Sequence, residues 1–241
     1  MIKKRETSYE EIFAKDKYKL IVLDMDGTLY YQRSMQILMC LEMGAFGVMH
    51  PFSLWKLKTV SVFRKIREEQ GFATEGALKE QGEELAKTDI LMRQYAKTAE
   101  IVGQSKEAVQ QVIEEWMFAR PLKYLQLTAD TELLAWVGKW KAVGKKVVVY
   151  SDYPVREKCE ILKVQADAMF SSDEMCIGQM KPSAKGLEVI CGKFGTAPED
   201  ILVVGDRMSK DGKMAETFGC EYVILKKWKI FRKKRYGFHN F

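Results

Sequence analysis

The feature that most constrains this chain is a repeated one: short apolar runs that each stop at an acidic or hydroxyl residue. The run KLIVL at 19–23 leads into Asp24-Met25-Asp26-Gly27-Thr28, KKVVVY at 145–150 into Ser151-Asp152, and DILVVG at 200–205 into Asp206. Runs of this length, rich in Val, Ile and Leu and bounded by turn residues, read as strands buried on both faces. EYVIL at 221–225 is a fourth. Helical patterns lie between them, near 131–143, 155–164, 183–194 and 210–218. Alternating strand and helix predicts an α/β fold, a Rossmann-like parallel sheet core flanked by helices.

The spacing of the runs is uneven. Asp24 and Ser151 are 127 positions apart, whereas one strand-helix-strand step needs about 30 residues. The excess carries helical patterns near 35–48, 54–69, 75–101 and 105–118, with breaks at Gly71, Gly103, Ser105 and Pro121. This predicts a helical cap, residues 31–120, inserted after the first strand of a discontinuous core made of 1–30 and 121–241.

Composition removes several classes. With 241 residues, 47% of them hydrophobic, the chain can bury a sizeable core. Its two histidines, His50 and His239, stand far apart, which argues against a histidine-rich metal site; His50, before Pro51, reads as structural. Five scattered cysteines with no C-x-x-C predict reduced thiols and a cytoplasmic location. The first residues lack the apolar stretch of a secretory signal. The most membrane-like stretch, 35–55, is interrupted by Gln36, Glu42, His50 and Pro51. The +6 net charge is local: 226–235 holds seven basic residues and no acid, so the rest of the chain sits at −1. That tail is expected to be solvated with its aromatics against the core. Its alternative use is weak contact with an anionic surface. No nucleic acid partner is expected.

Ligands of open parallel sheets bind at the carboxyl ends of the strands. Asp24, Asp26, Ser151, Asp206 and Asp211 all fall there, with Lys181 in the loop at 178–182. Any one of them alone reads as a helix cap or a solvated turn; the set together does not. Clustered carboxylates repel unless a cation sits among them. Mg²⁺, which takes one or two carboxylates together with waters and phosphate oxygens, meets that need.

At these residues the chain resembles the haloacid dehalogenase (HAD) superfamily. Asp24-Met25-Asp26-Gly27-Thr28-Leu29, Ser151, Lys181-Pro182 and Gly205-Asp206-Arg207-Met208-Ser209-Lys210-Asp211 look like its four motifs, in order. The likeness covers about 15–30 and 121–225, and the helical insert resembles a C1-type cap. It points to the phosphatase branch that includes phosphoglycolate phosphatases. The resemblance implies that Asp24 is the nucleophile and that Asp26 is the general acid and base, with its backbone carbonyl on the metal. It implies that Thr28 and Ser151 hold phosphate oxygens and that Lys181 neutralises the nucleophile and the phosphate. Asp206 and Asp211 would hold Mg²⁺ together with Asp24. An aspartate at position 26 looks like a phosphatase or phosphomutase, since related dehalogenases need no acid there. Tyr30-Tyr31-Gln32 and Arg207 depart from the commoner pattern.

The expectation is therefore a Mg²⁺-dependent phosphomonoester hydrolase acting on a small phosphorylated metabolite through an aspartyl phosphate. A sugar phosphomutase on the same core is the alternative, and a non-catalytic binding protein a weaker one. Tyr30, Tyr31, Arg33 and residues 43–55 are the candidate substrate contacts from the cap side, though any single Met or aromatic among them reads first as packing of the cap's own core. Substrate and oligomeric state stay open.

Overall fold

The computed structural model describes residues 17–69 and 90–227, and the backbone of 235–238. Strand β1 is Leu20–Leu23, β2 Lys146–Ser151, β3 Ala168–Ser171, β4 Ile201–Gly205, β5 Glu221–Lys226 and β6 Arg235–Phe238. They form one sheet in the order β3-β2-β1-β4-β5-β6. The first five strands are parallel, and β6 closes one edge antiparallel to β5.

The apolar runs become strands because both of their faces find cover. Side chains alternate across a strand, and Ile21, Leu23, Val147, Val149, Leu202 and Val204 enter one buried cluster. Leu20, Val22, Val148, Tyr150, Ile201 and Val203 enter another on the opposite face. A one-residue slip of register would exchange these two sets. The topology places the ends of β1, β2 and β4 side by side, with β1 paired to both of the others.

Between β1 and β2 lie helices α1 (Gln32–Met49), α2 (Leu54–Glu68), α3 (Ile90–Val102) and α4 (Lys106–Ile113). A wider helical turn, Glu114–Ala119, continues α4. Ser105 starts α4 by accepting the Ala108 N–H at 3.1 Å, and Gly103, at φ +69°, ends α3. The second half of the expected 75–101 helix is present as α3; its first half and the break at Gly71 fall outside the described residues. The apolar cluster on one sheet face runs on into these helices through Phe63, Ile113 and Trp116. In the rest of the chain, α5 (Thr131–Ala142), α6 (Arg156–Leu162), α7 (Lys185–Phe194) and α8 (Lys213–Phe218) alternate with the strands.

Two features depart from the expectation. Strand β3 was not foreseen, because AMFS at 168–171 is short and carries no β-branched residue. The basic segment is also less of an appendage than composition implied. Lys227 is buried, with its ammonium 2.9 Å from Asp130 and bonded to the Thr28 carbonyl, and the backbone of Arg235–Phe238 pairs with β5. Among the described residues no helix is long and apolar enough to cross a membrane. All five cysteines are free.

Candidate active site

The loop after β1 carries Asp24, Asp26 and Thr28, and it is shaped by Gly27. Gly27 sits at φ +95°, and a Cβ there would lie 2.1 Å from Asp206 Oδ2. Only glycine permits both the backbone conformation and the close approach. Gly205 does the same at the end of β4, where a Cβ would lie 2.3 Å from Asp211 Cγ. Two glycines therefore let the carboxylates of three separate segments close on one another.

Oxygens of Asp24, Asp206 and Asp211 lie within 4.8 Å of each other. Lys181 sits among them, its ammonium 2.7 Å from Asp24 Oδ1 and 2.7 Å from Asp211 Oδ1. Thr28 donates to Asp24 Oδ2 at 3.1 Å. Burial raises the Asp24 pKa well above the usual carboxylate range and, with Asp211 and Asp206 adding to it, outweighs the opposing pull of Lys181. Burial, then Asp211, pushes Asp206 up to about 7. Burial disfavours the Lys181 ammonium, but Asp211, Asp24 and Asp152 outweigh it and hold the proton on. The Lys181 ammonium bonds two of these carboxylates, and the Arg207 guanidinium offsets Asp206 only in part, so the cluster is short of positive charge.

The residues fit a magnesium ion on that ground. All three donors are hard oxygens, as Mg²⁺ prefers, and among the described residues no hydrogen-bond donor is placed on the Asp206 carboxylate.

Asp26 faces a different set of partners. Its carboxylate accepts from Tyr30 Oη, from Ser151 Oγ at 3.0 Å and from Lys158 Nζ at 2.5 Å. Burial pushes its pKa up, but Lys158, Tyr30 and Ser151 outweigh that and hold it below the usual range. Ser151, expected on a phosphate oxygen, therefore has its hydroxyl on Asp26 and accepts the Tyr153 N–H at 3.1 Å. Lys181 is positioned through its backbone N–H, which donates to Asp152 Oδ1 at 2.9 Å.

Several participants were not singled out in advance. Lys158, on α6, is one of 39 basic residues, and nothing local marks it. Asp152 is buried and receives Ser172 Oγ at 2.9 Å and Lys210 Nζ at 2.9 Å; its signal was adjacency to Ser151 at a strand end. Arg207 pairs with Glu68 at the end of α2, at 2.7 Å, while its backbone N–H donates to Asp211 Oδ2 at 3.2 Å and its charge partly offsets the rise in the Asp206 pKa. Arg67, beside it, is buried and donates to Gln94 and to the Asp152 carbonyl.

A cavity of about 130 Å³ opens beside Asp26 and Lys158 and reaches between α1, α2 and the 116–125 segment. Of the contacts expected from the cap side, Tyr30 and Met43 line it. Tyr31, Arg33 and residues 44–55 do not. Tyr31 instead faces the Lys227 ammonium, 5.2 Å from its ring, and Val48, Met49 and Phe52 point to solvent.

A family model for haloacid dehalogenase-like hydrolases matches residues 18–219. The chain belongs to that family. Solved structures with the same fold include the HAD-hydrolase YfnB of Bacillus subtilis, described as bound to magnesium. It is 10% identical, with a TM-score of 0.59, covering 90% of this chain and 92% of that one. An L-2-haloacid dehalogenase from Xanthobacter autotrophicus, with chloropropionic acid covalently bound, is 15% identical at a TM-score of 0.59, covering 88% and 79%. A predicted phosphoglycolate phosphatase from Haemophilus somnus is 18% identical at 0.50, covering 93% and 88%. No curated protein sequence matches the chain. At these identities the likeness concerns the fold, and this HAD-like hydrolase must be read from its own site.

Proposed function

We propose that this HAD-like hydrolase is a Mg²⁺-dependent phosphomonoesterase working through an aspartyl phosphate on Asp24, with residues 31–120 as its cap. The observation that carries the reading is the convergence of Asp24, Asp206 and Asp211 within 4.8 Å, with Asp26 two residues from the nucleophile. Asp24, Asp206 and Asp211 would hold the ion, with the Asp26 carbonyl; when bound, Mg²⁺ supplies positive charge to the phosphoryl oxygens.

The steps follow from the residues. A carboxylate oxygen of Asp24 attacks phosphorus as the bond to the leaving oxygen breaks. Asp26 gives that oxygen a proton and the alcohol departs. Asp26 then takes a proton from water, whose oxygen attacks phosphorus. The bond to Asp24 breaks, releasing inorganic phosphate and restoring the Asp24 carboxylate and the proton on Asp26. Lys181 offsets negative charge throughout. Held ionised by Lys158, Asp26 is set for the second step; its acid role in the first requires that ion pair to loosen.

Asp24→Asn should abolish Mg²⁺-dependent hydrolysis of p-nitrophenyl phosphate, a fall on the order of 10⁴-fold or more, with an unchanged circular dichroism spectrum. Undiminished turnover in that variant would rule out the mechanism.

A further inference from the structure

The cavity beside Asp26 meets whatever is attached to the leaving oxygen, so its walls bear on the substrate class. The inference below rests on the phosphatase reading above and narrows it. Met35, Met39 and Met43 recur every four residues along α1 and present one face to the cavity, with Trp116 and Leu122 also in its wall. Met35, Met39 and Trp116 are buried. The lining's free amide and guanidinium groups stand further out: Gln32 and Gln36 are half-buried and Arg64 is exposed. At the inner end Tyr30 and Lys158 both donate to the Asp26 carboxylate, and Tyr153 also lines the cavity.

We infer that this site accepts a small, predominantly apolar leaving group, a phenyl ring or an alkyl chain of about six carbons, in preference to a polyhydroxylated or anionic one. A thioether is at best a weak acceptor and never a donor. A sugar hydroxyl pressed against this wall would lose water and gain no partner. The volume, about 130 Å³, is close to the roughly 150 Å³ of an apolar cavity that takes up benzene. Methionine walls adapt to shape but not to polarity, so the site should tolerate ring or chain while rejecting hydroxyls.

The test is a series of esters assayed with Mg²⁺, each against an Asp24→Asn blank: ethyl, butyl, hexyl and phenyl phosphate, glucose 6-phosphate and 2-phosphoglycolate. We expect kcat/KM to rise about fourfold per methylene from ethyl to hexyl, and phenyl phosphate to exceed both polar esters at least tenfold. Met39→Gln, and independently Met43→Gln at a less buried position, should reduce the slope to below twofold per methylene while the melting curve stays cooperative. A flat chain-length profile, or a polar ester turned over best in an Asp24-dependent way, overturns the inference and leaves the phosphatase reading standing. Absence of Asp24-dependent hydrolysis for all six esters removes the phosphatase reading, and the inference with it.

Discussion

The carboxylate cluster at the strand ends and the methionine wall of the cavity lie on either side of Asp26, yet they are built on opposite principles. The cluster is held by backbone: two glycines set the approach distances, and buried ion pairs at 2.7 Å leave no slack. The wall is held by flexible, unbranched side chains on one helix face. Such a site can keep its chemistry constant while the group that leaves is exchanged, because the two parts share one residue and little else. Chemistry is demanding in geometry, since a misplacement of about 1 Å can cost 10²-fold. Apolar recognition is not.

The comparison breaks most visibly at Lys181. Replacing it by Ala leaves Asp24 and Asp211 buried without their ammonium, and removing one member of a buried pair costs about 3–5 kcal/mol. Thermal melts in EDTA should show that loss, with part of it restored by Mg²⁺, and turnover should fall on the order of 10³-fold. A melt indifferent to the substitution would mean that the ammonium does not organise the cluster.

Gly27→Ala comes next. The added methyl has no room beside Asp206, so turnover should drop roughly 10²-fold and stability by about 1–3 kcal/mol. Gly138→Ala is the control: it lies within α5 with nothing near its Cβ, and should stabilise by about 0.5–1 kcal/mol. Equal effects at the two positions would deny any special role to the loop after β1.

On the softer side, Met39→Ala should cost about 1–2 kcal/mol in denaturant melts, less than the 2–5 usual for a packed methionine, because the side chain already borders open volume. Phe63→Ala, at a fully buried position in α2, should cost about 3–5 kcal/mol. Matching values would mean that the wall is packed as tightly as the core.

The smallest effect belongs to the exposed pair of Glu68 and Arg207. Glu68→Gln should change stability by less than about 1 kcal/mol and lose its effect in high salt. A larger loss would show that this contact between α2 and the loop after β4 is a structural tie rather than a solvated surface pair.

The sheet and the acidic edge were legible in the sequence because their signals are local. Strands buried on both faces read as unbroken apolar runs, and a carboxylate directly after such a run can only sit at the strand end. Strand β3 was missed because a four-residue, half-covered strand carries little apolar signal. Lys158 was missed for another reason. Its partner Asp26 is 132 positions away, and no feature of REKCEIL distinguishes it from any amphipathic helix. Ser151 shows the limit from the other side: its place was legible, but the atom its hydroxyl bonds was not.

The sequence by itself determined which residues could take part: four of the parallel strands with the helices between them, the acids that follow three of the apolar runs, and the glycines beside them. Periodicity and adjacency along the chain carry that information. The tertiary structure decided who meets whom: Lys181 between Asp24 and Asp211, Lys158 on Asp26, Lys227 drawn out of a basic segment to a buried aspartate, and three methionines turned toward one cavity. Those ion pairs join residues from 30 to 157 positions apart, where charge and packing act through space and leave no trace in the spacing of the chain.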